Sequence, residues 1–161
     1  MSDTLNTSSG TKVYFCSTAA PAAATESAYA ALSWIEIGDV ESVGEFGDTA
    51  ASASFTGLSD GRVRKFKGAA DAGDISVVCG RNVRDVGQIA VKAAADSKFN
   101  YAFKVVAADA PDANDTDTTH YFQAQIMSVK TNYGGANDVT KLTINLAINT
   151  EILEVASEAV S

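Results

Sequence analysis

The sequence predicts a mainly β fold, an antiparallel β-sandwich or barrel with one α-helix on its flank. Three observations carry that prediction. Across residues 139–149, Leu142, Ile144, Leu146 and Ile148 recur at every second position. Lys141, Thr143, Asn145 and Asn149 lie on the alternate face, the pattern of a strand with one buried and one wet side. Phe99, Tyr101, Phe103 and Val105 alternate in the same way with Asn100, Ala102 and Lys104. Only residues 86–96 carry a well-marked helical period. Val86, Ile89, Ala90 and Ala93 are spaced i, i+3, i+4 and i+7, with Asp85 as N-cap and Gln88 at the capping-box position.

Taken in order, residues 1–10 are polar and expected to be loose. Residues 12–17, rich in aromatic and β-branched side chains, read as the first strand. An alanine-rich connection follows, with a turn of helix expected around Glu26 to Leu32. Trp34 to Ile37 opens a second strand, predicted to run on through a bulge at Gly38 and Asp39 into Val40 to Val43. From Glu45 to Gly61 the period-two order is lost, which predicts a long loop, mobile in a free subunit. Its candidate docking residues are Phe46, Asp48, Phe55, Leu58 and Asp60. Arg62, Arg64, Lys65 and Lys67 then place four of the 12 basic residues within six positions. Residues 74–79 form a strand with Ile75, Val77 and Cys79 facing one way. Beyond the helix and the aromatic strand lies a polar loop at 107–119, holding Asp109, Asp112, Asp115 and Asp117. Two long strands, 120–131 and 139–149, are joined through Gly134 and Gly135, and residues 151–161 form a short acidic tail. The count is about seven strands and one helix. A length of 161 residues fits one domain, residues 1–161, with a real core.

Composition narrows the chemistry. Twenty acidic residues against 12 basic give a net charge of −8, which argues against gripping nucleic acid, where phosphate neutralisation dominates affinity. An acidic surface still lets DNA slide past without sticking. The apolar runs are too short to cross a bilayer, so no membrane insertion is expected. The first ten residues lack a basic start and an apolar stretch, so no signal peptide is expected. Cys16 and Cys79 sit in apolar contexts without a CxxC pair and read as buried thiols.

No catalytic apparatus is visible. The single histidine, His120, has no nucleophile or metal-ligand spacing around it, and a structural role is expected. The Asp109–Asp117 loop lacks the ligand order, central glycine and closing glutamate of a calcium loop, and reads as solvated. Residues 80–85 carry Arg81 and Arg84 but no phosphate-loop ending, so surface salt bridges are their expected role. The Arg62–Lys67 cluster, short and set in an acidic chain, is expected to meet acidic surfaces of neighbouring subunits. No catalytic residue, cofactor or metal is predicted.

The order of these features resembles the major tail tube proteins of long-tailed bacteriophages and phage-like gene transfer agents. The residues that carry the resemblance run from Gly10–Phe15 and Trp34–Val40, through the loop before Arg62 and Asp85–Gln88, to Tyr101–Val105. Tyr121–Val129 and Asn137–Ile144 complete it, over residues 10 to 152. The resemblance implies a β-sandwich that forms hexameric rings around a continuous inner β-barrel, with rings stacked into a hollow tube. It further implies a tape-measure protein inside during assembly, and tail terminator and baseplate or distal tail proteins at the ends. DNA would pass in transit without tight binding, in a virion tail assembled in the bacterial cytoplasm. Six copies would carry about −48 formal charges per ring. The face formed by Lys141, Thr143, Asn145 and Asn149 is the candidate lumen lining. The alternative from another class is a surface or pilus-like β-sandwich binding module; the missing signal peptide and the lack of an exposed tryptophan count against it.

Overall fold

Gly38 and Asp39 decide the architecture. In the computed structural model, which describes residues 5–159, the chain forms β1 (Lys12–Phe15), α1 (Glu26–Ala30), β2 (Ile35–Ile37), β3 (Val40–Ser42), β4 (Thr49–Thr56) and β5 (Val63–Asp71). Then come β6 (Asp74–Gly80), α2 (Val86–Ala94), β7 (Tyr101–Val106), β8 (Thr119–Asn132), β9 (Lys141–Ile148) and β10 (Leu153–Val155). The main sheet is antiparallel in the order β2-β1-β7-β8-β9-β6-β3, with β10 added to β8. Its two ends, β2 and β3, are consecutive in sequence. Three Cα–Cα steps link Ile37 to Val40, at most about 11 Å. The sheet therefore curls round until its ends meet. The predicted bulge between two halves of one strand is instead the corner where the chain leaves one edge of the sheet and joins the other. Asp39 takes the left-handed conformation, φ 57°, to make it.

The period-two faces place the core inside this curl. Phe15 of β1, Phe103 of β7 and Phe122 of β8 lie in register across three strands, with ring centroids 5.3 and 5.9 Å apart. Ile75, Val77 and Cys79 of β6 face Leu146, Ile144 and Leu142 of β9, all buried, as the alternation of both strands predicts. The outer face of β1, β7 and β8 is covered by the segment after β1. There Tyr29 of α1 stacks on Tyr121, and Gln123, buried, donates to the carbonyls of Pro21 and Ala23. Trp34 donates its indole N–H to the Tyr29 carbonyl. Phe99 stands outside β7 and is exposed, so the aromatic face begins at Tyr101.

The helix α2 forms where the capping signal places it, with Asp85 accepting from the Gln88 amide, but it is turned differently from the predicted stripe. Its buried residues are Gly87, Gln88 and Val91, while Val86, Ile89 and Ala93 point outward. Two contacts fix this rotation. A Cβ at Gly87 would collide with the Glu36 carbonyl of β2, so only glycine permits the helix to lie so close. Gln88 turns into the corner, donating to the Gly38 and Gly80 carbonyls and accepting from the Asn82 amide. The Asp85 carboxylate also holds the Gly38 amide, pinning the corner to the helix start.

Three further expectations are revised. Residues 45–61 are not an unstructured loop: residues 49–56 form β4, paired with β5. The tail 151–161 contains β10, and Thr116 binds the Glu158 carbonyl; residues 160–161 lie outside the described residues. Of the polar N-terminal segment, residues 1–4 lie outside the described residues, whereas Asn6 binds the Ala108 carbonyl. Among the described residues there are ten strands and two helices rather than seven and one, and no helix is long and apolar enough to cross a membrane.

Candidate assembly interface

The β4–β5 hairpin is built unlike the rest of the chain. All eight residues of β4 and all nine of β5 are exposed. Directly paired residues share a face, so the register divides the hairpin in two. One face carries Ala53, Phe55, Arg64 and Phe66; the other carries Ser52, Ser54, Thr56, Val63, Lys65 and Lys67. Phe55 and Phe66 are each 58% exposed, on opposite strands and diagonal to each other. At the tip Leu58 is completely exposed. Asp60 organises the turn: it accepts from the Arg62 amide and pairs with the Arg64 guanidinium at 2.8 Å. The Arg62 amide, then Arg64, hold the Asp60 carboxyl below its ordinary range.

The structure separates residues that the sequence groups together. Phe46 lies outside the arm's strands, half-buried on the core with its ring edge-to-face against His120 at 5.1 Å and beside Phe122. Asp48 lies at the arm's base, with Asp71 and Glu151 lining the same cleft. Of the basic cluster, Lys65 and Lys67 share the polar face, Arg64 lies on the aromatic face tied to Asp60, and Arg62 precedes the ladder. Phe66, Val63 and Ala53 belong to the arm and escape a search for loops. Their signal is the alternation of Ala51, Ala53 and Phe55 with Ser52, Ser54 and Thr56, ahead of an Asp60–Gly61 turn pair.

On β9, Lys141, Thr143 and Asn145 lie half-buried on the face opposite the core, and Asn149 follows, exposed. Asn145 bridges its neighbours, accepting from Ser76 of β6 at 2.6 Å and donating to Ser128 of β8 at 2.7 Å. Lys141 pairs with Glu41 at 2.8 Å, and Asn149 donates to Asn100. This face of three strands is thus a hydrogen-bonded polar band of low net charge.

A further surface lies at the far end of β6. Val83, Val86 and Ile89 are exposed, and Arg81, which forms no ion pair, lies over the Tyr133 ring. Arg84 forms none either; Lys141–Glu41 and Arg64–Asp60 are the ion pairs among the described residues. In the acidic loop, Thr118 donates to Asp109 and holds its carboxyl below the ordinary range, while Asp117 accepts from the Ala110 amide, so two of the four aspartates close the loop on itself.

No protein-family model and no curated protein matches the chain. Solved structures do. A chain of the anti-feeding prophage baseplate, six-fold symmetrised, superposes with a TM-score of 0.72 at 12% identity, over 97% of this chain and 98% of that one. A chain of the sheath–tube complex of an extracellular contractile injection system in its extended state gives 0.64 at 14% identity, over 91% and 88%. The SPP1 tail tube gives 0.57 at 16% identity, over 91% and 76%. At these identities the likeness is one of fold, and the fold of this chain is that of phage tail tube and injection-system tube proteins.

Proposed function

We propose that the protein is the structural subunit of a tail tube, in which copies form hexameric rings and the rings stack into a hollow conduit. The observation that carries this reading is the hairpin. Two strands with both faces in water are marginal at best in isolation, and long exposed edges invite pairing. A chain that keeps such an arm, with aromatic residues on one face and lysines on the other, needs a neighbour to cover it. A head-to-tail contact that closes into a ring supplies that neighbour to every copy. The tube-like fold supports the same reading.

In this reading the polar band around Lys141, Thr143, Asn145 and Asn149 lines the lumen. It offers hydroxyl and amide groups and few free cations, a surface that lets DNA pass and does not hold it. Phe55 and Leu58 dock between rings, and Lys65 and Lys67 face acidic surfaces of neighbouring copies. The tube encloses a tape-measure protein during assembly and ends at tail terminator and baseplate or distal tail proteins. It is assembled in the bacterial cytoplasm, works in the tail of a virion or gene transfer agent, and catalyses nothing. Negative-stain microscopy of concentrated protein tests the proposal: rings or tubes with a central hole are expected, and compact single particles at every concentration overturn it.

A further inference from the structure

The outward face of α2 is apolar where a helix that meets only water is polar. Val86 and Ile89 lie one turn apart on it, 67% and 51% exposed, and Val83 in the preceding turn is 67% exposed. Ala93, also exposed, continues the stripe one turn further on. Along the nine residues of α2 this face is about 13 Å long. Beside it a cavity of about 110 Å³ has Val83 and Ile89 as walls, Leu142 and Gln88 as buried floor, and Arg81 and Lys92 in its lining. A cavity of this size has room for one branched aliphatic side chain.

The free charge around the stripe is of one sign. Arg81, Arg84 and Lys92 are exposed, and none forms an ion pair among the described residues. The one carboxylate between positions 81 and 95, Asp85, is held by the Gly38 and Gln88 amides. In a chain of net charge −8, this face is an apolar strip edged by free cations. Its complement is a surface with aliphatic side chains set among free carboxylates, and the described chain offers none. Leu58 and Val63 are exposed, but they stand among Arg62, Arg64 and Lys65, and Asp60 beside them is paired with Arg64. Val139 follows Asp138, whose carboxylate holds the Gly135 amide, and Leu5 heads a stretch, residues 5–10, without a carboxylate. The acidic loop at 109–117 carries no leucine, isoleucine or valine. In the acidic tail, Ile152, Leu153 and Val155 pack on their own core.

We infer that the occupant of this face is an acidic amphipathic helix of a second protein species. It lies along α2 with one aliphatic side chain in the cavity and its carboxylates beside Arg81, Arg84 and Lys92. The stripe of Val86, Ile89 and Ala93 is a ridge of the kind a second helix packs against, with aliphatic anchors at three- and four-residue spacing. The flanking cations set the sign of the partner and make the contact salt-sensitive. This goes beyond the tube reading, which invokes copies of one chain, and does not depend on it: each copy binds by itself, free or assembled.

The test is fluorescence anisotropy of the full chain with a labelled synthetic helix that carries leucines at three- and four-residue spacing and glutamates on its flanks. Saturable binding at one peptide per chain is expected, weakening at least about tenfold between roughly 0.05 M and 0.5 M salt. Ile89→Asp is expected to weaken it at least tenfold with unchanged circular dichroism and unchanged ring formation, because Ile89 is exposed. Arg81→Glu/Lys92→Glu is expected to lose the glutamate helix and to gain the same helix with lysine in place of glutamate. Binding that is absent, that does not saturate or that is equal in all variants overturns the proposal. Ring formation lost in Ile89→Asp also overturns it, since the face then belongs to contacts between copies. Binding to phosphatidylglycerol vesicles in place of the peptide, lost in Ile89→Asp, assigns the face to a lipid surface and overturns it as well. The tube reading stands or falls separately, by whether wild type forms rings or tubes.

Discussion

Gln88 stands where a helix facing a β-core would ordinarily place an apolar side chain, yet it is 2% exposed and makes three hydrogen bonds to the corner between β2, β3 and β6. Replacing it with leucine keeps the volume but leaves two carbonyls and an amide without this partner at a part-buried site. Each unsatisfied buried group costs roughly 1–3 kcal/mol, so Gln88→Leu should destabilise by about 3 kcal/mol, read as a lower urea midpoint. An unchanged midpoint would mean water replaces the side chain there. Cys79 gives a pH test. Burial, then the negative charges of Asp85 and Asp39, push its thiol up to about 11 from an ordinary 9.0. The fold thus favours the protonated thiol. Stability should be intact below pH 9 and fall as pH rises towards 11, since only the unfolded thiol ionises readily in that window. Native protein at pH 8 should leave Cys79 unmodified by a thiol reagent, and rapid labelling without unfolding would contradict the burial.

At the scale of elements, legibility followed burial. β9 was readable in full because every second residue packs into the core, and register cannot slip without exposing Leu142, Ile144, Leu146 and Ile148 together. The α2 cap was readable from Asp85 and Gln88, but its orientation was not. The face that meets the barrel is made of a glycine needed for close approach and a glutamine needed for hydrogen bonding, neither of which marks an apolar stripe. The stripe that does show, Val86 and Ile89, is the one the chain leaves outward. β4 escaped because alternation of alanine with serine is a weak signal, and neither face is buried within one copy. The proposed tube-subunit role is therefore suggested by the sequence only through resemblance and the order of features. Excising residues 49–71 and joining Asp48 to Ala72 through a short Gly-Ser turn tests the arm as an element. Since its strands are wholly exposed, the body should melt within a few degrees of wild type while assembly is lost. A variant that still builds tubes would remove the arm from the mechanism.

For the molecule as a whole, charge and shape bear on assembly together. A chain of net charge −8 presents Lys65 and Lys67 on one exposed face of its arm, where neither forms an ion pair. Lys65→Glu/Lys67→Glu should raise the concentration needed for assembly about tenfold or more. Wild-type assembly should also weaken with salt, because exposed charges are screened beyond roughly 8 Å at physiological ionic strength. If the double variant assembles normally but loses affinity for duplex DNA, those lysines serve nucleic acid instead. The central claim, that each copy is incomplete until its neighbours cover the hairpin, is tested most directly by sedimentation velocity across a wide concentration range. Wild type should pass from monomer to a ring and then to larger particles, while the protein without residues 49–71 stays small. A single monomeric boundary for wild type at every concentration would contradict it.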